Sequence, residues 1–421
     1  MDFPTWVEID LDRLDRNLRS LALLAGPDVS MLFVVKADGY GLGAVEVGRS
    51  ALAAGASCLG VATLHEGIEL RQAGIEAPII ILSPNFEGEF AELLAWNLRP
   101  TLSTLDQAAH LAAAAHDRAG AWPVHVEVDT GMGRTGFDLE EAADAIRRLQ
   151  AMPEIEIEGI FTHFPDSDGP ERDFTRTQIE RFGGLLLALE RDGIRPRFCH
   201  AANTAGLMAY PDSRFTMVRP GIGALGIVPS AHVPMACPIE PVVSLHARLA
   251  QVRTVPAGRH ISYGTTFVTG RPSQIGVTTI GYGHGLPRRL SNRGEMVIRG
   301  HRVPIVGRVT MDLTMVDLTD HPGAAVGDEV LVFGAPAAAA DPASTFITID
   351  EVAARAETIT WEILCQIDKR VVRKYLRDGK VSRVMTLVGE RLEIGDGEGS
   401  GIVYSGGQRS VRATTSGGWK K

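Results

Sequence analysis

Between residues 32 and 220, short apolar runs alternate with alanine- and leucine-rich stretches that have helical spacing. The apolar runs predict strands at 32–36, 59–62, 78–82, 99–102, 124–129, 157–162, 197–200 and 216–219. Strands that alternate with helices are typical of a parallel sheet. Eight such units in this length favour a closed barrel over an open sheet. The plainest helices are predicted at 107–116 and 140–149, and the last one, after Ala201, is shorter.

The pattern changes near residue 240. Short alternating runs between Gly and Pro turns predict strands at 244–253, 275–280, 295–298, 303–306, 315–318 and 329–333. A helix is predicted over 348–366 with Asp350 as its cap, and the strand-like segment 5–10 is a candidate to pair with this region. The predicted fold class is α/β, with an N-terminal (β/α)8 TIM-like barrel at 10–235 followed by a mostly β domain formed by 1–9 and 236–377. The glycine-rich extension 378–421 is predicted to be a small hairpin or a disordered tail, with no assigned role.

Composition narrows the class of protein. The chain has 421 residues, which favours two domains, and its net charge of −9 argues against a nucleic-acid binder. The N-terminal residues do not resemble a signal peptide, and no apolar run reaches the length of a membrane span. The four cysteines are scattered without metal-ligand spacing, so we predict reduced thiols, no metal site and a cytoplasmic location.

The stretch from Met31 to Gly43 carries the first chemical signal. Five apolar residues run directly into Lys36, and a glycine-containing turn follows. A lysine at the end of a buried strand is partly desolvated, which frees its amine as a nucleophile of the kind that forms Schiff bases. A lone lysine at a strand end more often extends its charged group into solvent, so the rest of the sequence has to decide.

Polar side chains recur where predicted strands end, at the face on which barrel enzymes carry their chemistry. They are Lys36, Asp129, Arg134, His163, Asn203 and Arg219. The loops after the seventh and eighth strands, 200–206 and 219–223, offer small residues and backbone N–H groups that suit a phosphate. A carbonyl-reactive lysine beside a phosphate site suggests pyridoxal 5'-phosphate as the cofactor.

A set of motifs in collinear order resembles the alanine racemase family, the fold type III pyridoxal-phosphate enzymes. The motifs are VKADGYG at 35–41, DTGMGR at 129–134, THF at 162–164, RPGI at 219–222, SYG at 262–264, LSNRG at 290–294 and GRVTMD at 307–312. Each motif alone is weak, whereas the ordered set, within about residues 5 to 373, is specific. A tyrosine or methionine by itself would more often be a core residue.

The resemblance implies two bases. Lys36 would hold the cofactor covalently and serve as one base, and Tyr263 would be the other, on the opposite face. A tyrosine with an ordinary pKa of about 10 needs help, which in the family comes from a histidine and an arginine, here His163 and Arg219. Arg219 would also face the pyridine nitrogen and leave it unprotonated, because an arginine does not give up its proton.

The remaining roles are also implied by the resemblance. The phosphate-binding positions match Tyr40, Asn203, Thr204, Gly221 and Ile222. Arg134 matches the residue that contacts the cofactor phenolate oxygen. The substrate positions match Met311, whose backbone N–H would receive the carboxylate, with Asp312 beside it and Tyr282 at the access to the site.

Four features depart from the family pattern. Lys369 stands where many members have a tyrosine, residues 281–285 lack an aspartate near His284, and the tail beyond about 377 has no counterpart. Glu127 stands where the family commonly has a lysine that becomes a carbamate. We hypothesise that Glu127 replaces the carbamate and holds Arg134 in a bidentate pair, since a glutamate is already ionised at neutral pH.

The leading hypothesis is a pyridoxal-phosphate-dependent alanine racemase that supplies D-alanine for peptidoglycan. Serine or another amino acid on the same scaffold is the first alternative, because one or two methylenes give only about 1–3 kcal/mol of discrimination. A non-catalytic pyridoxal-phosphate-binding barrel is the second, although that class has neither a second domain nor the Tyr263 motif. The resemblance also implies a homodimer in which each site takes its tyrosine from the partner chain.

Overall fold

The structure is a computed structural model that describes residues 3–334, 346–394, 401–405 and 412–414. The chain forms two compact units, one of Arg13–Glu240 and one of Met1–Asp12 with Pro241–Lys421. We call them the barrel unit and the β unit. Strand β1 (Thr5–Asp10) and helix α1 (Leu11–Ala25) open the chain.

Parallel strands form the centre of the barrel unit. The strands are β2 (Ser30–Val34), β3 (Cys58–Val61), β4 (Ile79–Pro84), β5 (Arg99–Leu102), β6 (Trp122–Asp129), β7 (Phe137–Asp138), β8 (Ile155–Phe161), β9 (Phe198–His200) and β10 (Met217–Val218). Hydrogen bonds join them in the order β5-β4-β3-β2-β10-β9-β8-β6, and β5 also pairs with β6, so the sheet closes. The short β7 pairs only with β6. The predicted eight-stranded barrel is therefore confirmed.

Helices connect these strands as the alternation predicts. They are α2 (Lys36–Gly41), which is a left-handed turn at 37–40, α3 (Ala44–Ala53), α4 (Leu64–Gln72), α5 (Phe90–Ala95), α6 (Leu105–Ala115), α7 (Leu139–Gln150), α8 (Asp173–Arg191) and α9 (Thr204–Ala209). In α7, residues Ala142, Ala145, Ile146 and Leu149 are buried at helical spacing. Acidic residues in its first turn and arginines in its last turn complement the helix dipole. The last connection, through α9, is short, as predicted.

The β unit contains one large sheet and a separate two-stranded sheet. Its strands are β11 (Val243–Val255), β12 (His260–Ile261), β13 (Phe267–Val268), β14 (Ser273–Thr278), β15 (Glu295–Ile298), β16 (His301–Pro304), β17 (Thr314–Asp317), β18 (Glu329–Phe333), β19 (Val372–Arg377), β20 (Lys380–Thr386), β21 (Gly389–Ile394), β22 (Gly401–Ser405) and β23 (Arg412–Thr414). The main path runs β16-β15-β18-β11-β1-β19-β20-β21-β22-β23. Strand β1 pairs with β11 and β19, which confirms the predicted pairing of segment 5–10.

The helix predicted over 348–366 is two helices, α10 (Ile349–Ala356) and α11 (Thr360–Cys365). Asp350 is not the cap, because the Thr348 side chain accepts the hydrogen bond from the Glu351 backbone N–H. Helix α10 stops at Glu357, which adopts a left-handed conformation with φ of 56°. A local left-handed residue of this kind leaves little trace in the apolar spacing, which is why the sequence suggested one continuous helix.

The C-terminal extension continues the large sheet as paired strands. Strands β20, β21, β22 and β23 add to the edge beyond β19 in antiparallel order. Val384 of β20 is buried in a small cluster with Phe3, Trp6 and Val372. Of the two predicted alternatives, the structure therefore has strands; residues 395–400, 406–411 and 415–421 lie outside the described residues.

Candidate active site

Lys36 lies two residues after the buried end of strand β2 and begins a left-handed turn. Ala37, Asp38, Gly39 and Tyr40 all have φ between 55° and 63°. Left-handed residues other than glycine cost about 1–2 kcal/mol each, so a run of them needs support from its surroundings. The Glu66 carboxylate provides part of it, accepting from the Ala37 N–H at 2.6 Å and the Ala62 N–H at 2.7 Å.

The left-handed turn brings Tyr40 against the loop after β10. The Tyr40 side chain is buried, and a Cβ added at Gly221 would lie only 2.4 Å from its hydroxyl oxygen. Only glycine fits at position 221 without displacing the tyrosine. The segment from Lys36 to Tyr40 therefore places Lys36 at the end of the strand and packs Tyr40 against the loop after β10.

The loops after β9 and β10 are joined through Thr204. Its hydroxyl accepts from the backbone N–H groups of Gly221 and Gly223, both at 3.2 Å. The neighbouring Asn203 caps α9, with its Oδ1 accepting from the Gly206 N–H at 2.8 Å. The structure thus brings together Tyr40, Asn203, Thr204, Gly221 and Ile222, the residues that the sequence assigned to phosphate binding.

Arg219 is almost fully buried and is held by neutral acceptors. Its guanidinium donates to the carbonyls of Thr162 at 2.8 Å and Ala201 at 3.1 Å. It also donates to Nδ1 of His163 at 3.1 Å and Nδ1 of His200 at 2.8 Å. Among the described residues it forms no ion pair. Because a guanidinium only donates, both imidazoles must accept at Nδ1 and carry their proton, when neutral, on Nε2.

The same environment sets the charges of this group. Burial lowers the pKa of Arg219 to about 10, with the charge of nearby Arg134 acting in the same direction, so the guanidinium is still protonated at neutral pH. Burial, and then the charges of Arg219, Arg134 and Lys36, lower the pKa of His163 to about 3. His163 is therefore a neutral imidazole beside a cation across the physiological pH range.

Asp129 organises the turn that leads to Arg134. Its carboxylate accepts from the backbone N–H groups of Gly131, Met132 and Gly133 at 2.6 to 2.7 Å. These bonds fix the turn after β6 and use the carboxylate for structure. Arg134 follows the turn with an exposed side chain.

Glu127 does not grip Arg134 as the sequence suggested. Its carboxylate accepts from the Ser103 hydroxyl at 3.2 Å and from Thr135, and the described residues contain no Glu127–Arg134 ion pair. Burial raises the pKa of Glu127, against the lowering effect of these hydroxyls and of Arg134 and Arg219. The charge of Glu127 therefore acts on the two arginines through space, and the expectation of a bidentate pair was wrong for this structure.

In the β unit, Tyr263 lies on a strained segment. Ser262, Gly264 and Thr265 have positive φ, at 65°, 69° and 49°. A Cβ on Gly264 would come within 2.9 Å of the Arg308 guanidinium carbon, and the Ser262 hydroxyl donates to the Arg308 carbonyl at 2.6 Å. The backbone is thus fixed against the 307–312 segment while the Tyr263 side chain remains 72% exposed.

Asn292 connects the two segments, a role that the sequence reasoning did not assign. Its Oδ1 accepts from the Gly307 N–H at 2.6 Å, and its Nδ2 donates to the Thr266 hydroxyl at 3.1 Å. The adjacent Ser291 hydroxyl accepts from the Val309 N–H at 3.0 Å. The only available signal was the position of both residues inside the 290–294 motif.

Met311, Asp312 and Tyr282 lie together beside this segment. The Tyr282 N–H donates to the Thr310 carbonyl at 2.9 Å, and the Gly283 N–H donates to the Met311 carbonyl at 2.8 Å. Asp312 forms an ion pair with Arg370 at 2.8 Å, which the sequence reasoning also missed.

His284 and Lys369, two of the departures from the family pattern, lie in the same unit. Burial, and then the charge of Arg370, lower the pKa of His284. Lys369 is exposed next to Arg370.

Known proteins match this chain over most of its length. Family models of the alanine racemase N-terminal and C-terminal domains match residues 9–229 and 242–375. A curated relative, the alanine racemase of Symbiobacterium thermophilum, is 42% identical over 375 residues, covering 88% of this chain and 97% of that protein. The chain belongs to the alanine racemase family. The resemblance inferred from the motifs is confirmed.

Solved structures of the family agree in fold. Alanine racemase from Clostridium difficile 630 has a TM-score of 0.86 at 32% identity, covering 92% of this chain and 100% of that one. Alanine racemase from Bartonella henselae with covalently bound pyridoxal phosphate has a TM-score of 0.80 at 28% identity, covering 89% and 100%. The family models end at residue 375, so strands β20 to β23 lie beyond them. Among the described residues, no helix combines the length and apolar character needed to cross a bilayer.

Proposed function

We propose that this protein is a pyridoxal-phosphate-dependent racemase that interconverts L-alanine and D-alanine, in the cytoplasm, and supplies D-alanine for peptidoglycan. The proposal rests on one observation: the barrel unit alone assembles most of the candidate cofactor residues. They are Lys36, the loops that carry Tyr40, Thr204 and Gly221, and the buried Arg219. The similarity to alanine racemases over 88% of the chain supports it. The four cysteines are free thiols, which agrees with a reducing compartment.

The residues present fit pyridoxal phosphate. The Tyr40 and Thr204 hydroxyls lie beside the backbone of Gly221–Gly223, and hydroxyl and backbone N–H groups together are the kind of donors that bind a phosphate. Lys36 would hold the cofactor covalently, Arg219 would face its ring nitrogen, and Arg134 its phenolate oxygen. When bound, the cofactor withdraws electrons from the attached amino acid and so acidifies its α-proton.

The chain's own residues then move the proton. Lys36 Nζ would hold or accept it on one face, and Tyr263 Oη would return one from the other. Arg219 keeps its own proton, because a guanidinium with a pKa of about 10 is still charged at neutral pH. The ring nitrogen it faces would therefore stay unprotonated, which limits side reactions. The substrate carboxylate would meet the backbone of Met311, beside the Asp312–Arg370 pair.

The active unit in this proposal is a homodimer with shared sites. In one chain, Tyr263, Met311 and Tyr282 are 72%, 52% and 44% exposed. Large apolar side chains clustered at the surface are typical of interaction sites. A second chain that covers them would give the Tyr263 hydroxyl a defined environment.

A racemisation screen of the purified protein tests the proposal. The protein would be loaded with pyridoxal phosphate and given each of the common L-amino acids, with visible absorbance recorded for the bound cofactor. We expect alanine to have the highest kcat/KM. Faster turnover of serine or a larger amino acid would replace the substrate, and a bound chromophore without turnover of any amino acid would favour a cofactor-binding protein.

A further inference from the structure

A row of buried polar side chains crosses the interior of the barrel, starting from Arg219. Nδ1 of His200, at the end of β9, accepts from Arg219 at 2.8 Å. Nε2 of His200 lies 2.8 Å from Nδ1 of His125 on β6. Nε2 of His125 lies 3.5 Å from the Glu158 carboxylate on β8, which pairs with Arg99 at the start of β5 at 2.5 Å. The row therefore runs from the carboxyl ends of the strands towards their amino ends.

The barrel is shaped around this row. His125 and His200 have no exposed surface, and Phe161 stacks on His200 with ring centroids 4.8 Å apart. A Cβ added at Gly159 would lie 2.4 Å from Nδ1 of His125, so a glycine in the middle of β8 makes the space for this ring. Apolar side chains could fill the centre of the barrel, and burying polar groups costs free energy unless they are paired. The presence of two imidazoles there therefore needs an explanation.

The two hydrogen bonds that run from Arg219 through His200 to His125 can point in only one direction. Arg219 donates, so His200 accepts at Nδ1 and carries its proton on Nε2. That proton is donated to Nδ1 of His125, so His125 also carries its proton on Nε2, where it faces Glu158. At 3.5 Å this N–H lies outside hydrogen-bonding geometry, so the ionised Glu158 carboxylate, which offers only acceptors, acts on it by charge attraction at the far end of the row from Arg219.

The electrostatics agree with this assignment. Burial, and then for His200 the charge of Arg219, lower the pKa values of His125 and His200, so both rings are neutral. Burial alone would raise the pKa of Glu158, but its contact with His125 and the charge of Arg99 hold it below its ordinary value. The row thus consists of the Arg219 cation, the neutral rings of His200 and His125, and the Glu158 anion, which pairs with the Arg99 cation.

We propose that His125 and Glu158 are positioning residues of the active site, which fix the tautomers of both imidazoles and thereby the orientation of the Arg219 guanidinium. The functional part of this inference rests on the proposed racemase activity. If the Glu158 carboxylate becomes an amide, its carbonyl pairs with Arg99 and its N–H₂ group faces His125. His125 can accept from this N–H₂ group only if both imidazoles reverse, and His200 then presents an N–H to the N–H of Arg219, so one end of the row is mismatched in either direction.

Glu158→Gln tests the functional part, with Glu156→Gln as a matched control. Glu156 lies two residues earlier on β8 and is exposed, so the control loses the same charge from the same strand. We expect Glu158→Gln to lower kcat about tenfold with KM for alanine unchanged, at the lower end of the roughly 10- to 100-fold effects of residues that orient ligands indirectly. The control should match the wild type. An unchanged kcat in folded Glu158→Gln protein would overturn the proposal.

Nitrogen NMR of ¹⁵N-histidine-labelled protein tests the tautomers without reference to activity. The chain has 12 histidines, and signals lost in His125→Phe and in a His200→Phe variant identify the two rings. We expect both rings to be neutral with the proton on Nε2 at pH 6 and pH 8, and His125 to change tautomer in Glu158→Gln. A proton on Nδ1 in the wild type, or a His125 signal unaffected by Glu158→Gln, would overturn the proposal. A wild-type protein without racemase activity but with these tautomers would count against the proposed function alone.

Discussion

The two units present their candidate site residues in opposite ways. In the barrel unit Arg219 and Tyr40 are 5% and 7% exposed, and hydrogen bonds within the unit fix the groups around them. In the β unit Tyr263 is 72% exposed, and only its backbone is fixed. The barrel unit therefore holds its candidate residues in place by its own contacts, whereas the β unit leaves the Tyr263 side chain exposed.

The units also share one feature. Lys36 is followed by a left-handed run, Ala37–Tyr40, and Tyr263 lies between positive-φ residues, with Ser262 before it and Gly264 and Thr265 after it. Such conformations persist only where the surrounding structure supports them, here through Glu66 and through Asn292. Positive φ values next to both candidate bases are the kind of backbone strain that clusters at functional sites.

Lys36→Ala should have the largest effect, because it should abolish covalent cofactor binding by the barrel unit. Without the amine the cofactor cannot be held covalently, so both the visible absorbance of the bound cofactor and all racemase activity should be lost. Absorbance spectra and a D-alanine assay measure the two properties. Lys380→Ala, on β20, is the control and should retain both. A Lys36→Ala protein that still acquires the chromophore would show that another lysine holds the cofactor.

Tyr263→Phe should distinguish the role of the β unit from that of the barrel unit. The cofactor absorbance should remain, because the barrel residues are intact, while racemisation of L-alanine falls by roughly 100- to 10,000-fold, the range for loss of a general acid or base. Tyr210→Phe, a buried tyrosine of the barrel unit, is the control for losing a phenol hydroxyl. Near-normal rates in both directions would remove Tyr263 from the mechanism.

Hybrid dimers would sharpen the comparison further. If a site takes Lys36 from one chain and Tyr263 from its partner, mixing Lys36→Ala and Tyr263→Phe proteins creates dimers with one intact site. Random pairing makes half of the dimers hybrids, so about a quarter of the wild-type activity should return. Subunit exchange would be verified with differently tagged chains. Exchange without recovery of activity would mean that each chain builds its own site.

Much of the fold followed from the sequence because strand–helix alternation is a repeated signal. All eight barrel strands and the pairing of β1 were predicted, whereas the break at Glu357 and the cap at Thr348 were not. These two features depend on single φ values and one hydroxyl bond, which apolar periodicity does not report. The strands of the extension were left open because glycine-rich sequence suits a hairpin and a disordered tail equally.

The candidate site residues were predicted from motifs, so residues outside the motifs were missed. Thr204, Gly221 and Tyr40 were placed correctly near one another, since each lies in a short loop at a strand end. His125 and Glu158 were missed, because strand positions 33 residues apart show no sequence signal of contact. The pairing of Glu127 with Arg134 was wrong, because the family pattern and the charge of Glu127 do not rank Ser103 against Arg134 as a partner.

The partly buried His163, beside Arg219, should make the stability of the barrel unit depend on pH. Its pKa of about 3 in the folded protein is below the ordinary value of 6.5, so only the unfolded ring takes up a proton as the pH falls below 6.5. Stability is therefore full above about pH 7 and declines towards pH 3. Between pH 7.5 and 5.5, His163 should account for about 1.4 kcal/mol of lost unfolding free energy.

Urea unfolding of wild type, His163→Asn and His232→Asn at the two pH values measures this contribution. His232 is an exposed histidine of the same unit, so its variant should keep the wild-type pH dependence. His163→Asn should lose less stability than the wild type on acidification. An identical loss in all three proteins would show that His163 is not a buried neutral ring in solution.

Substitution of Glu127 should have the smallest effect on turnover, and it tests the barrel unit alone. The carboxylate is anchored by Ser103 and Thr135 and acts on Arg134 and Arg219 through space. Glu127→Gln keeps a hydrogen-bonding group of the same size and removes the charge. We expect kcat to fall by about fivefold, equivalent to about 1 kcal/mol. If the charge replaces a carbamate, Glu127→Lys should regain activity only when bicarbonate is supplied.

The stability of Glu127→Gln separates this electrostatic role from a structural one. Because burial raises the pKa of Glu127 above its unfolded value, its stabilising contribution is present only below that unfolded value and is lost as the pH rises through the raised pKa. A neutral glutamine at pH 7.5 should therefore leave the unfolding free energy unchanged or increase it while turnover falls. Ser103→Ala, which removes an anchor but not the charge, should slow turnover less. Wild-type kinetics in Glu127→Gln, or a bicarbonate requirement in the unmodified protein, would show that this carboxylate has no part in setting the two arginines.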